Sequence, residues 1–435
     1  MRISVIGCGY LGAVHAAAMV ELGHDVVGVD VDAAKVALLS SGRAPFYEPE
    51  LEDMLGRGVA SGRLRFSTEI SAAEDARLHF ITVGTPQRSD NDSADLSFVD
   101  ASILALIPWL KHGDVVVGKS TVPVGTAARL DSIVRERAPG ATLVWNPEFL
   151  REGYAVRDTL APDRLVYGIG PGDENAEALL DDAYAAAIAN GAPKVVTDFA
   201  TAELVKVSAN AFLATKISFI NAMAEIAEAT GADVTQLADA IGYDPRIGRR
   251  FLNAGLGFGG GCLPKDIRAF RARAEELGLG SSLAFLGEVD AINLRRRERM
   301  VELTREALGG SIAGKRIAIL GLAFKPNSDD VRDSPALDVA IKLAGAGAIV
   351  TCTDPQAIET ARARFPSLEY VSTAEEAIRG SDAVLVLTEW QQYRELNPET
   401  LGLLVAYRTI LDGRNCLDPV QWREAGWQYH SLGRP

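Results

Sequence analysis

One cysteine in a glycine-rich stretch is the residue of this sequence best suited to covalent chemistry. The stretch runs Gly257-Phe-Gly-Gly-Gly-Cys-Leu-Pro-Lys-Asp266, and Cys262 stands between the glycines and a Pro-Lys-Asp that is typical of a helix start. We expect Pro264 to take the first helical position. The unpaired N–H groups of that helix and the charge of Lys265 then favour a nucleophilic thiolate. The alternative is a tight turn that holds an inert, buried cysteine.

A lysine and an asparagine on a predicted helix form a second group of candidates. Lys206 and Asn210 are one turn apart and therefore share a helix face. Projecting together, they could stabilise an oxyanion and hold a water molecule. A polar stripe on an exposed helix would give the same pattern.

Two loops upstream carry further candidates. Asn146-Pro-Glu-Phe-Leu-Arg-Glu152 offers Glu148 and Glu152 either as a general base and substrate ligands, or as groups that cap and solvate a helix. Thr121 follows a predicted strand within Ser120-Thr-Val-Pro-Val-Gly125, where loops of a doubly wound sheet face the ligand crevice.

The N-terminal turn has the pattern of a dinucleotide site. Gly7-Cys-Gly-Tyr-Leu-Gly12 is a full GxGxxG between a predicted strand and a predicted helix, which is the context that supports this interpretation. Asp30 ends the next strand, where a carboxylate accepts hydrogen bonds from a ribose and repels a 2′-phosphate. The cofactor expected is therefore NAD rather than NADP. Cys8 is expected to be a small packing residue.

The elements that position these residues fall into three predicted domains. Strands rich in Val and Ile alternate with helices over residues 1–198, the pattern is helical over 199–308, and strands return over 309–435. A long helix is expected to end at Gly231. The run Arg295-Arg-Arg-Glu-Arg299 is expected to be a solvated helix face. The turn at Gly321 has a single glycine, so a second dinucleotide is not expected.

Composition excludes several classes of function. The 435 residues carry a net charge of −14, which argues against a nucleic-acid partner. The four cysteines form no CxxC pair and the five histidines have no ligand spacing, so no metal is expected. The chain begins directly in a predicted strand, without a signal peptide, and no apolar run could span a bilayer. A cytoplasmic location without membrane contact is expected.

The motifs together resemble the UDP-glucose/GDP-mannose dehydrogenase family over essentially the whole chain. They occur in the family's order as GCGYLG, VGTP, STVPVG, NPEFLREG, NAFLATKISFIN, GFGGGCLPKD and GLAFKPNSDDVRDSP. The resemblance implies an α/β fold of two Rossmann-like, doubly wound parallel-sheet domains joined by a helical central domain with a long connecting helix. It also implies a homodimer formed on that helix, with NAD on the first domain and a nucleotide sugar on the last.

The resemblance implies a four-electron oxidation at C6 of the sugar through a thiohemiacetal and a thioester on a cysteine. The implied catalytic residues are Cys262, Lys206, Asn210, Asp266, Thr121 and Glu152. The implied NAD contacts are Gly7, Gly9, Tyr10, Leu11, Gly12, Asp30, Lys35, Thr85, Thr121, Glu152, Lys265 and Arg332. The implied substrate contacts are Glu148, Phe149, Leu150, Lys206, Asn210, Arg246 (which in the family crosses from the partner subunit), Phe251, Leu252, Asn253, Gly259, Phe324, Lys325 and Arg414.

Departures from the family pattern concern the choice of substrate. Gly261 stands where the family commonly has serine, and Leu263 stands where UDP-glucose members often have phenylalanine. The stretch from Arg246 to Asn253 resembles the UDP-glucose members, so UDP-glucose is the expected substrate, with GDP-mannose or another UDP-hexose as the alternative. Two other classes are a non-catalytic nucleotide-sugar sensor, and a two-electron alcohol dehydrogenase in which Cys262 is structural.

Overall fold

The chain forms two compact units in the computed structural model, which describes residues 1–435 apart from the side chain of Glu174. The first unit comprises Met1–Ala209 with Ala272–Gly278, and the second comprises Asn210–Arg271 with Leu279–Pro435. Each unit contains one open sheet whose strands alternate with helices, which confirms the predicted α/β class.

The sheet of the first unit has eight strands in the order β3-β2-β1-β4-β5-β6-β7-β8. All neighbours pair in parallel except β6 and β7, which are antiparallel. The strands are β1 (Arg2–Ile6), β2 (Asp25–Val29), β3 (Leu64–Ser67), β4 (Leu78–Ile81), β5 (Val115–Gly118), β6 (Thr142–Trp145), β7 (Leu165–Ile169) and β8 (Lys194–Thr197). The order of the first six is that of a dinucleotide-binding sheet, whose crevice lies where β1 and β4 diverge.

Helices of the first unit cover both faces of its sheet. They are α1 (Tyr10–Glu21), α2 (Ala33–Ser40), α3 (Leu51–Ala60), α4 (Ser97–Leu106), α5 (Thr126–Arg137), α6 (Ala155–Leu160), α7 (Glu174–Ala183) and α8 (Ala185–Ala189), with 3-10 turns at Ile70–Ala73 and Ile107–Trp109. Val115 and Val117 pack in one apolar core while Val116 packs in another. This alternation places a core on each face, as a doubly wound sheet requires.

Long helices follow the first sheet. They are α9 (Phe199–Thr230), α10 (Val234–Gly242), α11 (Leu263–Glu276) and α12 (Phe285–Ala307), with a 3-10 turn at Gly280–Leu283. The predicted end of α9 is confirmed, because Gly231 takes a φ of 75° that ends the helix at Thr230. None of the helices described, across residues 1–435, combines the length and the apolar character needed to cross a membrane.

The sheet of the second unit has six parallel strands in the order β11-β10-β9-β12-β13-β14. They are β9 (Arg316–Leu320), β10 (Ile349–Thr353), β11 (Glu369–Tyr370), β12 (Ala383–Val386), β13 (Thr409–Asp412) and β14 (Gln428–Ser431). Its helices are α13 (Pro335–Gly345), α14 (Ile358–Arg364), α15 (Ala374–Ile378), α16 (Gln391–Arg394), α17 (Pro398–Leu401) and α18 (Pro419–Glu424). The strand order repeats that of the first six strands of the other sheet.

The charged run on α12 corrects a prediction. Arg295 is exposed, but Arg296 and Arg297 are buried and paired rather than solvated. Arg296 lies 2.8 Å from Glu228, and Arg297 lies 2.9 Å from Asp333. The prediction of a fully solvated face was wrong because carboxylates that are distant in sequence form ion pairs with these arginines on the buried side of the helix.

Candidate active site

The glycine-rich turn after β1 has the shape needed to hold a pyrophosphate. Gly7 has a φ of 91°, and a Cβ there would lie 2.5 Å from the side chain of Val83. A Cβ on Gly12 would lie 2.0 Å from the carbonyl oxygen of Gly7. A Cβ on Gly9 would meet nothing within 4 Å, so the turn is open on that side. Because α1 begins at Tyr10, its N-terminal N–H groups line the open side, and the turn fits a dinucleotide.

Asp30, directly after β2, is fixed by three donors. Its carboxylate accepts hydrogen bonds from the backbone N–H of Cys8 at 2.8 Å, from the backbone N–H of Asp32 at 3.0 Å and from Lys35 Nζ at 2.9 Å. Cys8 is buried in the core as expected, and burial, followed by the charge of Asp30, raises the pKa of its thiol to about 12. Cys8 is therefore a packing residue, and Asp30 stands where a ribose would be bound.

A buried carboxylate joins the glycine turn to the segment that carries Glu152. Glu48 accepts hydrogen bonds from the backbone N–H groups of Gly153 at 2.6 Å and Ala155 at 2.7 Å, and from the hydroxyl of Tyr10. Burial raises the pKa of Glu48, while the hydrogen bonds lower it. Glu48 thus caps α6 and fixes the buried Glu152 segment relative to the first turn of α1.

The loops after β4 and β5 are bonded to each other. The hydroxyl of Thr85 donates to the carbonyl of Thr121 at 2.8 Å, and the hydroxyl of Ser120 donates to the carbonyl of Val83 at 2.7 Å. Both loops follow the carboxyl ends of parallel strands, where ligands of such sheets bind. Thr85 and Thr121, both named from the sequence, therefore lie together.

Glu148 and Lys206 form a buried ion pair in the first unit. The Lys206 Nζ lies 3.0 Å from a carboxylate oxygen of Glu148, whose other oxygen accepts from the backbone N–H of Leu150 at 2.8 Å. Lys206 also lies 5.6 Å from the ring centre of Phe149, and the guanidinium carbon of Arg164 lies 3.8 Å from the same ring centre. Lys206 is only 5% exposed, so the alternative of a polar stripe on an exposed helix is wrong.

Glu203, one turn before Lys206 on α9, holds the loop that contains Thr121. Its carboxylate accepts hydrogen bonds from the backbone N–H groups of Gly125 and Ala127, both at 2.7 Å. Burial raises the pKa of Glu203 to about 7, against the lowering effect of these N–H groups and of Arg273. The start of α5 is therefore capped by a side chain from another helix.

In the second unit, the glycine-rich stretch ends with an exposed thiol at the start of α11. Cys262 is exposed, and its carbonyl accepts the backbone N–H of Asp266 at 3.0 Å. The helix begins at Leu263, one residue before the position expected from Pro264. The alternative of a buried, inert cysteine is wrong, and the thiol lies at the positive end of a 14-residue helix.

Asp266 is hydrogen-bonded to two of the other predicted site residues of the second unit. Its carboxylate accepts a hydrogen bond of 2.6 Å from the amide of Asn210 and another of 2.6 Å from Lys265 Nζ. Asp266 and Asn210 are buried to 4% and 8% exposure. A buried carboxylate paired with a lysine and an amide, one turn from a thiol, is a suitable proton donor and acceptor for chemistry on that thiol.

Close packing explains the glycines before Cys262. A Cβ on Gly259 would lie 2.3 Å from the carbonyl oxygen of Asp333, and one on Gly260 would lie 2.7 Å from the ring of Phe324. A Cβ on Gly261 would lie 2.4 Å from the guanidinium carbon of Arg332. Serine, which the family commonly has at this position, would displace that guanidinium. Lys325 lies 5.0 Å from the ring centre of Phe324.

Arg414 and the residues after α10 differ in the contacts and the exposure of their side chains. The Arg414 guanidinium donates to the backbone carbonyls of Leu387, Gly257 and Phe324 at 2.8 to 3.1 Å, so it ties three loops together. Arg246 has an 87% exposed side chain that pairs with Asp244. Of the following loop, Phe251 takes a φ of 66° and is exposed, Leu252 is buried, and Asn253 accepts a hydrogen bond from Arg249.

The second sheet carries an aspartate at the position that corresponds to Asp30. Asp354 follows β10 and accepts hydrogen bonds from five donors, the backbone N–H groups of Leu322, Ala323, Gln356 and Ala357 and the indole N–H of Trp390. Asp354 is 2% exposed and Trp390 is 3% exposed. The corresponding acid of the second sheet is thus enclosed by donors from the protein.

Several buried charged residues that position these loops did not stand out in the sequence, namely Glu48, Lys119, Glu203 and Arg297. Their partners are backbone groups and residues far away in the chain, which spacing does not reveal. Lys119 had one available signal, since it stands directly after β5 and two residues before Thr121.

The open glycine turn, the aspartate after β2 and the buried polar groups of α9 and α11 define a dehydrogenase of the dinucleotide-binding, doubly wound class. Three domain models of the UDP-glucose/GDP-mannose dehydrogenase family match the chain: the NAD binding domain at residues 1–188, the central domain at 200–295 and the UDP binding domain at 318–419. The chain belongs to this family and is an NAD-dependent oxidoreductase.

Full-length relatives and solved structures agree with this assignment. A UDP-glucose 6-dehydrogenase of Rhizobium meliloti is 42% identical over 438 residues, covering 100% of both chains. One from Bacillus subtilis is 41% identical over 439 residues, covering 100% of this chain and 93% of its own. The structure of a UDP-glucose dehydrogenase from Pyrobaculum islandicum superimposes with a TM-score of 0.90 at 40% identity, covering 100% of this chain and 98% of that one.

Proposed function

We propose that this protein oxidises UDP-glucose at C6 to UDP-glucuronate in a four-electron reaction that passes through a thioester on Cys262. The observation that carries the proposal is the exposed thiol at the N-terminus of α11, one turn from the buried Asp266 and its partners Asn210 and Lys265. The names of the relatives supply the substrate, since several full-length relatives are UDP-glucose 6-dehydrogenases.

The cysteine has a defined place in the proposed sequence. The glycine turn and Asp30 would hold NAD, and two NAD molecules in succession would supply the acceptors for the hydride from C6 of the alcohol and for the hydride from C6 of the thiol adduct. Between these steps the Cys262 sulfur bonds to C6 of the aldehyde, and the aldehyde oxygen takes a proton to give a thiohemiacetal. After the second hydride loss, water adds to the thioester carbonyl and the C6–S bond breaks, which releases the acid and the thiol. Asp266 exchanges the protons of these steps.

The remaining catalytic roles are those that the family resemblance implies, and they suit the charge and hydrogen-bonding capacity of the residues. Lys206 stabilises the negative oxygen of the tetrahedral species, and Asn210 orients the water. Thr121 and Glu152 order that water, and Glu148 binds the sugar. In this proposal the glycine turn and Asp30 hold NAD, with the other NAD and substrate contacts that the family resemblance implies.

The choice of UDP-glucose over GDP-mannose rests on the stretch from Arg246 to Asn253, which resembles the UDP-glucose members. Relatives in the solved structures include a GDP-mannose dehydrogenase from Pseudomonas aeruginosa at 28% identity, with a TM-score of 0.55. The UDP-glucose dehydrogenase from Pyrobaculum islandicum is more similar by both measures. GDP-mannose and other UDP-hexoses therefore serve as the comparison substrates.

The test is the number of NADH molecules formed for each sugar when UDP-glucose is limiting. We expect two NADH per UDP-glucose and no NADH from GDP-mannose. We also expect no completed turnover by Cys262→Ser, because a serine hydroxyl cannot supply the thiolate that forms the thiohemiacetal and the thioester. Cys416→Ser removes a thiol elsewhere and should retain the stoichiometry of the wild type.

Other results would contradict the proposal in distinct ways. One NADH per sugar, or full turnover by Cys262→Ser, would indicate a two-electron alcohol dehydrogenase. Two NADH from GDP-mannose alone would keep the covalent chemistry and replace the substrate. Binding of UDP-glucose without any NADH would indicate a sensor.

A homodimer is part of the same proposal, with a second copy of this chain covering α9. Phe212, Phe219 and Ile226 recur every seven residues on this helix and are 66%, 49% and 55% exposed. A seven-residue spacing keeps side chains on one face over successive turns, so the three form a continuous apolar stripe. Such a stripe on a long helix is suited to pairing with the same stripe of another copy.

Replacing one residue of the stripe tests the dimer. Phe219→Asp should convert the dimer to a monomer, because a charge would have to be buried at the centre of the stripe. Leu403→Asp, at an exposed position outside α9, is the matched control and should leave the mass unchanged. The mass is measured by light scattering after size exclusion. An unchanged mass for Phe219→Asp would contradict this interface.

The domain boundaries at residues 198 and 308 and the cytoplasmic location remain predictions. Limited proteolysis followed by mass spectrometry tests the boundaries, because cleavage concentrates in exposed links between domains. Cell fractionation tests the location.

A further inference from the structure

Lys119 is a buried cation that no step of the proposed reaction uses. It follows β5 directly, two residues before Thr121, and only 6% of the residue is exposed. Its ammonium donates to the amide oxygen of Asn146 at 2.9 Å, to the backbone carbonyl of Asn146 at 3.4 Å and to the hydroxyl of Tyr184 at 3.1 Å. It also lies 5.8 Å and 5.7 Å from the ring centres of Phe80 and Tyr184. All of these partners are neutral, which is unusual for a buried charge.

The lysine fixes a residue that starts the segment containing Glu148. Asn146 follows β6, and its amide oxygen also accepts from the Tyr184 hydroxyl at 2.9 Å. The Asn146 amide nitrogen donates to the carbonyl of Val166 at 3.0 Å. Lys119 and Tyr184 therefore hold the amide on one side and Val166 holds it on the other. Glu148 lies only two residues further along the chain.

The charged groups that act on Lys119 are those of the Glu148 and Lys206 pair. Burial lowers the pKa of Lys119 to about 8, while the charge of Glu148 raises it and that of Lys206 lowers it. The three groups form an arrangement of one carboxylate and two ammonium groups inside the first unit, with Glu148 and Lys206 3.0 Å apart. A cation in a buried site acts on its neighbours far more strongly than one in water.

We propose that Lys119 is a positioning residue, which holds the Asn146 to Glu148 segment through its hydrogen bonds and acts as a second buried cation on the Glu148 and Lys206 pair. The inference rests on the proposed function, because it is through Glu148 and Lys206 that Lys119 affects turnover. Loss of its proton weakens both effects at once.

The titratable groups that interact with Lys119 are Glu148, Lys206, Tyr184 and His15. Burial raises the pKa of Tyr184 well above its usual range and lowers that of His15 well below, so both stay neutral between about pH 7 and about pH 9. A change in turnover near pH 8 that depends on the residue at position 119 then reports the ammonium itself.

The experiment compares kcat and KM against pH for the wild type, Lys119→Met, Lys119→Arg and Tyr184→Phe, with NADH formation as the readout. The wild-type kcat should fall as pH rises through about 8. Lys119→Met should lack this fall and have a kcat lower by about tenfold or more, since charged hydrogen bonds are lost. Lys119→Arg should keep the higher kcat beyond the pH at which the wild type falls. Tyr184→Phe removes an acceptor from the ammonium, so the midpoint should move to lower pH.

A substrate-free measurement separates folding from function. The unfolding temperature of the wild type relative to Lys119→Met should rise between about pH 8 and about pH 10, because the folded protein gives up the lysine proton before the unfolded chain does. Lys111→Met, at an exposed lysine, should behave as the wild type in both measurements.

Three results would overturn the inference. The first is a kcat profile of Lys119→Met with the same limb as the wild type. The second is a Tyr184→Phe variant whose kcat falls at the same pH as that of the wild type. This result can be obtained even if Lys119→Met does not fold. The third is a rising relative stability with no kinetic limb in the wild type, which would make Lys119 purely structural. Absence of NADH from any nucleotide sugar would instead overturn the proposed function and this inference with it, whereas the stability measurement would be unaffected.

Discussion

Replacing Glu203 by glutamine should make the stability of the protein less dependent on pH. The Glu203 carboxylate is 2% exposed and accepts the backbone N–H groups of Gly125 and Ala127. A glutamine has the same size but only one acceptor oxygen, so one of these N–H groups would face an amide N–H₂. At low pH, where Glu203 is protonated and therefore as neutral as glutamine, this loss lowers the free energy of unfolding by about 1–3 kcal/mol.

The pH-dependent part comes from the proton of Glu203. Burial raises its pKa from 4.5 to about 7 in the folded protein. As pH rises between these values, the unfolded chain releases the proton while the folded protein keeps it, so the folded state loses stability. At 1.36 kcal/mol for each unit of pKa, the full change is about 3 kcal/mol. It is absent below about pH 4.5 and complete above about pH 7.

The measurement is the free energy of unfolding in urea for the wild type and Glu203→Gln at several pH values between about 5 and about 8. Because other groups titrate in both proteins, the difference between them isolates Glu203. The wild type should be the more stable protein at low pH, and its advantage should shrink by about 3 kcal/mol on going to high pH. Glu275→Gln, at an exposed glutamate, is the control and should show no such trend.

A constant difference across the pH range would refute this reasoning. It would mean that the backbone N–H groups and Arg273 outweigh burial, so that Glu203 is ionised throughout.

Three further predictions concern the glycine turn, the cap on α6 and the second sheet. Gly12→Ala should abolish NAD binding, measured by fluorescence titration, because the new Cβ would lie 2.0 Å from a backbone oxygen. Glu48→Gln should lower stability by about 1–3 kcal/mol in urea denaturation, since one amide oxygen cannot accept from three donors. Trp390→Phe should also destabilise the protein by about 1–3 kcal/mol without changing NAD binding, because it removes one donor from a buried carboxylate. Unchanged NAD affinity in the first variant, or unchanged stability in the other two, would contradict these expectations.

The elements that carry a short-range signal could be predicted from the sequence. The strand of Val115 has apolar residues on both faces because it is buried on both, and the end of α9 is marked by Gly231. The exposed thiol of Cys262 could be placed at a helix start because glycines and a proline flank it. Strands such as β8, with the short sequence Lys-Val-Val-Thr and two exposed valines, carry too little apolar pattern to be predicted.

What the sequence did not reveal depends on partners that are distant along the chain. Arg297 is buried because Asp333, 36 residues away, receives its charge. Glu203 is buried because the backbone of residues 125–127, more than 70 positions earlier, offers it N–H groups. Burial of a charged side chain is decided by such pairs, and a local pattern of charges is the same whether or not the partner exists.

The two sheets share one strand order, but the aspartates that follow β2 and β10 have different roles. Asp30 has three donors, whereas Asp354 has five, including the indole of Trp390. A carboxylate has about four lone-pair positions, so Asp354 has no capacity left for a ribose hydroxyl. The same acid at the same place thus serves as a structural brace in the second sheet. Creating a dinucleotide site in the second sheet would require replacing Trp390 as well as adding glycines to the turn. A single substitution would therefore not create one.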